Sequence, residues 1–236
     1  MKNIYFVWKR ESVAYFTSPV AYIVVILFLL ITGSLFWFDY FREINQLTLR
    51  GFFNQAPLFL AFFAPAITMG LLATEKKEGT LELLMTMPIS DFQIVIGKFL
   101  ASVTLLMVVF LMTLPYPFSL SRLGELDWGS VWAGYLGLIL LASSYAAIGI
   151  MASSFVKDQV VAILVSFSMC FGLFLIEKFG GNPTGTSAHI LEYLSTNYHF
   201  QNIARGVIDV RDVFYYFSII VISLVIAQAS VSSRRW

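Results

Sequence analysis

Pro19-Val-Ala-Tyr-Ile-Val-Val-Ile-Leu-Phe-Leu-Leu-Ile-Thr-Gly-Ser-Leu-Phe-Trp-Phe38 runs for 20 residues without a charged side chain. A helix crossing a bilayer core needs about 20 mostly apolar residues, so this stretch alone is long enough to span. Its apolar run is too long for the core of a secretory signal, and no small-residue cleavage site follows at Phe36-Trp37-Phe38. Ser18-Pro19 reads instead as a helix start, with Ser as N-cap and Pro in the first turn.

Five further stretches pass the same test: Pro57 to Thr74, Phe99 to Phe118, Gly129 to Val156, Gln159 to Ile176 and Val213 to Ser230. None shows the two-residue alternation of a barrel strand. The expected fold is therefore all-α and polytopic, with six transmembrane helices in one domain over residues 1–236. Composition agrees: 58% of residues are hydrophobic and 12% charged, against about 25% charged in a soluble domain. With Lys+Arg 15 and Asp+Glu 14 there is no basic excess to neutralise nucleic-acid phosphates. The one cysteine, Cys170, has no partner for an internal disulfide.

An even number of spans puts both termini on one side. Taking that side as cytoplasmic, the inner segments hold Lys2, Lys9, Arg10, Lys76, Lys77, Lys98, Lys157, Arg234 and Arg235. The outer ones hold Arg42, Arg50, Arg122, Lys178, Arg205 and Arg211. The bias favours cytoplasmic termini.

The spans are as informative for what they lack. Ion-driven transporters and pumps need ionisable groups at membrane depth, and none of the six stretches contains Asp, Glu, Lys, Arg or His. Ser143-Ser144 and Ser153-Ser154 have no Gly-x-Ser-x-Gly setting, and small residues in a membrane helix serve close packing more often than nucleophilic attack. Gly97-Lys98 lacks the upstream glycine and the following hydroxyl of a phosphate-binding loop. No catalytic residue, metal ligand or bound cofactor is expected, His189 and His199 reading as solvated or capping loop residues. Glu177 and Asp158 read as solvated span ends. Energy for uphill movement must come from another subunit.

Three segments outside the spans carry pattern. Before Pro19, Ile4, Tyr5, Trp8, Tyr15 and Phe16 share one helical face with Lys2, Asn3, Lys9 and Arg10 opposite, which suits a helix lying in the cytoplasmic interface. In the loop from Glu75 to Ser90, Gly79 breaks the helix leaving the membrane, Thr80 can cap a new one and Pro88 ends it after about two turns. Leu81, Leu84 and Met85 then share a face with Glu82 and Thr86 opposite. That face fits a partner's groove or the membrane surface equally well. Ser90 to Gln93 matches a capping box for the next helix. From Asn197, Phe200, Ile203, Ala204 and Val207 form an i, i+3, i+4, i+7 stripe, with His199, Gln201, Asn202 and Arg205 around the rest. This is a short outer helix that dips into the leaflet or caps the bundle.

The order of these elements resembles the permease subunits of ABC transporters of the type-2 exporter class. The residues that carry the resemblance are Ser18-Pro19, then Glu75-Lys-Lys-Glu78-Gly79-Thr80-Leu81-Glu82-Leu-Leu84, Pro88-Ile-Ser90, Gly97-Lys98, Leu194-Ser195, His199-Phe200 and Arg205-Gly206-Val-Ile-Asp209. The likeness is nearest to the branch associated with bacterial gliding motility, with the nitrous-oxide-reductase maturation permeases as cousins. It implies a bacterial inner-membrane exporter built from two permease subunits, the second alike or different, and two ATPase subunits that hold ATP and Mg. It leaves room for an accessory subunit with a large outer domain. Gly79 to Pro88, including Met85, then corresponds to a coupling helix seated in the ATPase, which tips that loop towards docking. The stretch holding His199, Phe200, Ile203, Arg205, Gly206 and Asp209 corresponds to the outer helices that shape the exit. An alternative is a membrane scaffold that passes ATP-driven movement to an outer machine without moving solute.

Overall fold

In the computed structural model residues 2–42, 49–81, 89–180 and 191–233 are described, and every element among them is helical. Helix α1 (Lys2–Thr17) leads through Ser18 into α2 (Pro19–Arg42). Helices α3 (Arg50–Thr68) and α4 (Gly70–Glu78) form one broken segment, and α5 (Asp91–Thr113) and α6 (Pro115–Ser121) another. Then come α7 (Trp128–Phe155) and α8 (Gln159–Leu175), which continues as a 3-10 turn (Ile176–Gly180). Helices α9 (Thr196–Ala204) and α10 (Val210–Ser232) close the chain.

Six of these segments are long and apolar enough to cross a membrane, matching the six charge-free stretches. Their ends are set by caps more than by hydropathy. Ser90 and Gln93 form the expected capping box at the start of α5, eight residues before the charge-free run begins at Phe99. Asp127, Asp158 and Asp209 cap α7, α8 and α10 by accepting the amides of Gly129 at 3.0 Å, Val160 at 2.8 Å and Arg211 at 2.9 Å. Asp158 is thus the exposed span end that the sequence suggested, and it also caps α8. Pro57, expected at a span's start, lies inside α3 together with Pro65.

Helix α7 is the hub: 83% of its most apolar stretch is buried, against 22% for each of α2, α8 and α10. Lipid offers no hydrophobic drive for one helix to leave it for another, so close approach depends on small side chains. A methyl group on Gly149 of α7 would overlap the hydroxyl of Thr68 on α3. Ser153 has a further use. Its hydroxyl donates to the Met69 carbonyl at 2.9 Å and accepts from the amides of Leu72 at 3.2 Å and Ala73 at 2.9 Å. It therefore satisfies backbone groups freed at the break between α3 and α4. Ser143, Ser144 and Ser154 donate to carbonyls of their own helix.

Helix α1 forms as its periodicity predicts but presents a different face. Val7 and Trp8 pack on α5, where a Cβ added to Gly97 would lie 2.6 Å from Val7 Cγ1. Trp8 Nε1 donates to Thr104 Oγ1 at 3.0 Å, and the Tyr15 hydroxyl donates to the Ile67 carbonyl at 2.9 Å. Tyr5, Phe6, Val13 and Phe16 are exposed. The aromatic face read from the sequence is thus divided, Trp8 and Tyr15 turning inward and Tyr5 and Phe16 outward. Alternating spans gather α1, the end of α4, the start of α5 and the α7–α8 junction at one end of the bundle. There Gln159 donates to Thr74, and Ser230 near the end of α10 donates to the Ser154 carbonyl at 2.8 Å. Helix α9 lies at the opposite end.

Candidate functional site

At the α1 end, Gly79 takes φ 73 and ends α4 with a left-handed turn, the conformation for which a glycine is placed there. The Thr80 hydroxyl donates to the Glu75 carbonyl at 3.4 Å and so closes the helix behind it; the segment ahead that it was expected to cap runs into residues outside the described ones. Glu78 is exposed. Leu81, expected on a partner-facing stripe, is 3% exposed and belongs to the core. Its apolar side chain finds a protein surface within the chain itself. Glu82, Leu84, Met85, Thr86 and Pro88 lie outside the described residues.

Glu75, at the root of the loop, makes two ion pairs. Its Oε1 receives Lys98 Nζ at 2.8 Å and Arg10 Nη2 at 3.1 Å. Glu11 Oε1 receives the same two cations, at 3.1 Å from Lys98 and 2.5 Å from Arg10. Two acids and two bases from α1, α4 and α5 thus form one neutral cluster, with the Lys98 side chain 1% exposed at its centre. Burial pushes the Glu11 carboxyl up, but Lys98 and Arg10 outweigh it and hold it below its ordinary value. Arg10 is raised: burial opposes its charge, and the bonds to Glu11 and Glu75 more than offset that. Beside the cluster lies a half-open cavity of about 390 Å³, walled by Ala21, Val24, Ala66 and Leu105 and with Gln159 and Thr74 at its polar end.

The sequence reading picked out Glu75 but missed Arg10, Glu11 and Lys98 as its partners. One signal was present. On the helical wheel Glu11 falls between Val7 and Ile4, an acid on an apolar face.

At the other end, α9 caps the bundle. Phe200 and Ile203 are buried against Gly137 of α7, both contributing atoms 3.2 Å from the position its Cβ would take. The stripe stops there: Arg205 is exposed, Gly206 turns at φ 91 and Val207 is 67% exposed. Asp209 caps the last span. His199, read as a solvated loop residue, is 1% exposed. Its Nδ1 lies 2.6 Å from Asp212 Oδ1 and its Nε2 lies 3.0 Å from the Tyr193 carbonyl. The Tyr215 ring stacks on it at 4.0 Å. Glu177, read as a solvated span end, receives Ser195 Oγ at 3.0 Å and Asn197 Nδ2 at 2.7 Å, pinning the start of α9 to the 3-10 turn. His189 lies outside the described residues.

A family model described as ABC-2 family transporter protein matches residues 34–231. The chain belongs to the ABC-2 family. The match takes in both the α4–α5 loop and α9, while α1, which supplies Arg10 and Glu11, precedes it. Among curated proteins, the ABC transporter permease protein NatB of Bacillus subtilis (strain 168) is 27% identical over 161 residues, 62% of this chain. The chain spans 42% of the length of that relative. The family match extends across the broken α3–α4 segment, the hub α7 and the capped last span, so this ABC-2 chain is a multi-pass membrane protein.

Proposed function

We propose that this chain is the permease subunit of an ATP-driven ABC exporter in the bacterial cytoplasmic membrane, with both termini and the 75–91 loop on the cytoplasmic side. It acts without chemistry of its own. Two separate ATPase subunits bind ATP and Mg, and a second permease completes the pathway. The observation that carries this reading is the ABC-2 match across residues 34–231, together with the ionic cluster that fastens the root of the 75–91 loop to three helices.

A loop that receives a push is useful only if its base does not yield. Glu75 joins α4 to α5 through Lys98 and to α1 through Arg10, so movement of the segment after Gly79 is passed to those helices together. Closure of the ATPase pair then biases the bundle between two arrangements. Membership in the gliding-motility branch is the finer form of this reading, and the neighbouring genes test it.

The direct test is co-purification of the chain with a soluble ATPase and measurement of vesicle flux. Leu84→Asp and Met85→Asp are expected to abolish transport-coupled ATPase activity while leaving the helical content and the bound second permease unchanged. Normal ATPase binding and coupling in both variants would falsify docking through this loop. ATP hydrolysis without flux of any solute would favour the scaffold reading.

A further inference from the structure

We infer that His199 and Asp212 form a buried one-proton binding site that latches α9 to the first turn of α10. The stereochemistry of the imidazole carries this. A carbonyl oxygen can only accept, so Nε2 facing the Tyr193 carbonyl at 3.0 Å must bear a hydrogen. Nδ1 faces Asp212 Oδ1 at 2.6 Å, and that contact also needs a proton between its two atoms. A neutral imidazole beside a carboxylate has one ring hydrogen for two acceptors. The pair in this arrangement therefore holds one proton more than those two groups carry separately. Asp212 stands in the first turn of α10, where the helix dipole favours a negative charge, and this places the proton on the ring. The state assigned is imidazolium against carboxylate.

The surroundings keep water from standing in for either contact. The His199 and Asp212 side chains are 2% and 5% exposed. From α10, Tyr215 stacks on the imidazole and Tyr216 meets it edge-on at 6.5 Å. Tyr198 of α9 and Tyr193 of the preceding turn meet it edge-on at 5.4 and 5.7 Å. From α7, the Tyr145 hydroxyl is engaged with Thr196 Oγ1 at 2.8 Å. The acid of the 3-10 turn, Glu177, is engaged with Ser195 and Asn197, while Glu192 lies one turn upstream. Arg205, Asp209 and Arg211, the charges nearest in sequence, are exposed. Asp212 is the carboxylate that sets the proton's place.

Loss of the proton turns one of the two contacts into lone pair against lone pair, whichever nitrogen keeps its hydrogen. Either α10 or the turn at Tyr193 is then released from His199. On the orientation proposed above, which this clause alone depends on, the latch reads the pH of the outer medium.

His189 and His199 are the two histidines in the chain, so His189→Gln leaves one imidazole to observe. In that variant, reconstituted and labelled with 15N-histidine, both ring nitrogens are expected to carry hydrogen at every pH at which the α9 amides resist exchange. Protection of α9 is expected to fall at least about tenfold as the imidazolium signal disappears, an equilibrium shift of about 1.4 kcal/mol. Asp212→Asn supplies an amide N–H to Nδ1 and removes the need for the extra proton, so α9 should stay protected across that pH range. A singly protonated ring in the protected state overturns the assignment, as does an unchanged pH profile in Asp212→Asn. In the His189→Gln variant, where Asp212 is intact, coincident loss of the imidazolium signal and of α9 protection decides the matter even if Asp212→Asn does not fold.

Discussion

Lys98 shows how one residue changes the meaning of a composition. Its ammonium is enclosed, and four oppositely charged contacts among Arg10, Glu11, Glu75 and Lys98 join three helices. A buried pair is weak evidence for stability, because desolvation consumes much of the attraction; breaking one is a different matter. Glu11→Gln with Glu75→Gln leaves Lys98 buried and unpaired and should cost about 3–5 kcal/mol in thermal unfolding. Adding Lys98→Met to that double variant should recover most of the loss, and failure to do so would mean that the cluster is packing rather than charge. The pH dependence has a definite sign. Glu11 is held below its ordinary value of 4.5, so its ionised form stabilises the fold fully above that pH and the contribution fades as pH falls through the lower folded value. Thermal stability should therefore drop on acidification below pH 4.5, with a shallower slope in Glu11→Gln. None of this was open to the reading of charge-free stretches. Lys98 precedes its stretch by one residue, and its partners are 87 and 23 residues away. Local spacing reports neighbours on one helix and is silent about pairs made by topology.

The helices themselves were legible where lipid imposes the rule. Backbone groups in hydrocarbon must be satisfied internally, so a long charge-free run is a helix with few alternatives. The Ser90–Gln93 box and the Gly79 turn were equally plain because each rests on local chemistry. The face of α1 was harder, since lipid and protein are both apolar and a hydrophobic stripe cannot say which it meets. His199 was misread for the related reason that it lies off the Phe200–Ile203 stripe, and the periodicity of one helix does not show that Asp212 of α10 covers it. Ser153 belongs to the same scale. Packing alone would let Ala replace it, yet its three backbone bonds repair the break at Met69. Ser153→Ala should lower stability by about 1–3 kcal/mol, the cost of orphaned buried polar groups. The loss should appear first as faster amide exchange in α4. An exchange rate in α4 equal to the parent's would show that water or a shifted helix satisfies those groups.

Across the whole molecule the geometry fixes which elements share an end, and the proposed orientation gives that end to the cytoplasm on the distribution of charge. Helix α1, the Gly79 turn, the α7–α8 junction and the end of α10 lie together, with α9 and the cap of α10 opposite. Apart from the termini, Lys76, Lys77, Lys98 and Lys157 belong to the first end and Arg42, Arg50, Arg122, Lys178, Arg205 and Arg211 to the second, so these segments do not favour the first end. The cytoplasmic assignment of the first end rests on the terminal residues Lys2, Lys9, Arg10, Arg234 and Arg235. The sequence supplies a clean means of measuring orientation. Cys170, the lone cysteine, is buried, so Cys170→Ala yields a background without thiols at the cost of a small cavity. Lys77→Cys and Arg205→Cys then report one exposed position from each end. In intact cells an impermeant thiol reagent should label Arg205→Cys and leave Lys77→Cys untouched until the membrane is opened. The reverse pattern would place the 75–91 loop outside, beyond reach of any ATPase, and would end the coupling proposal along with the orientation.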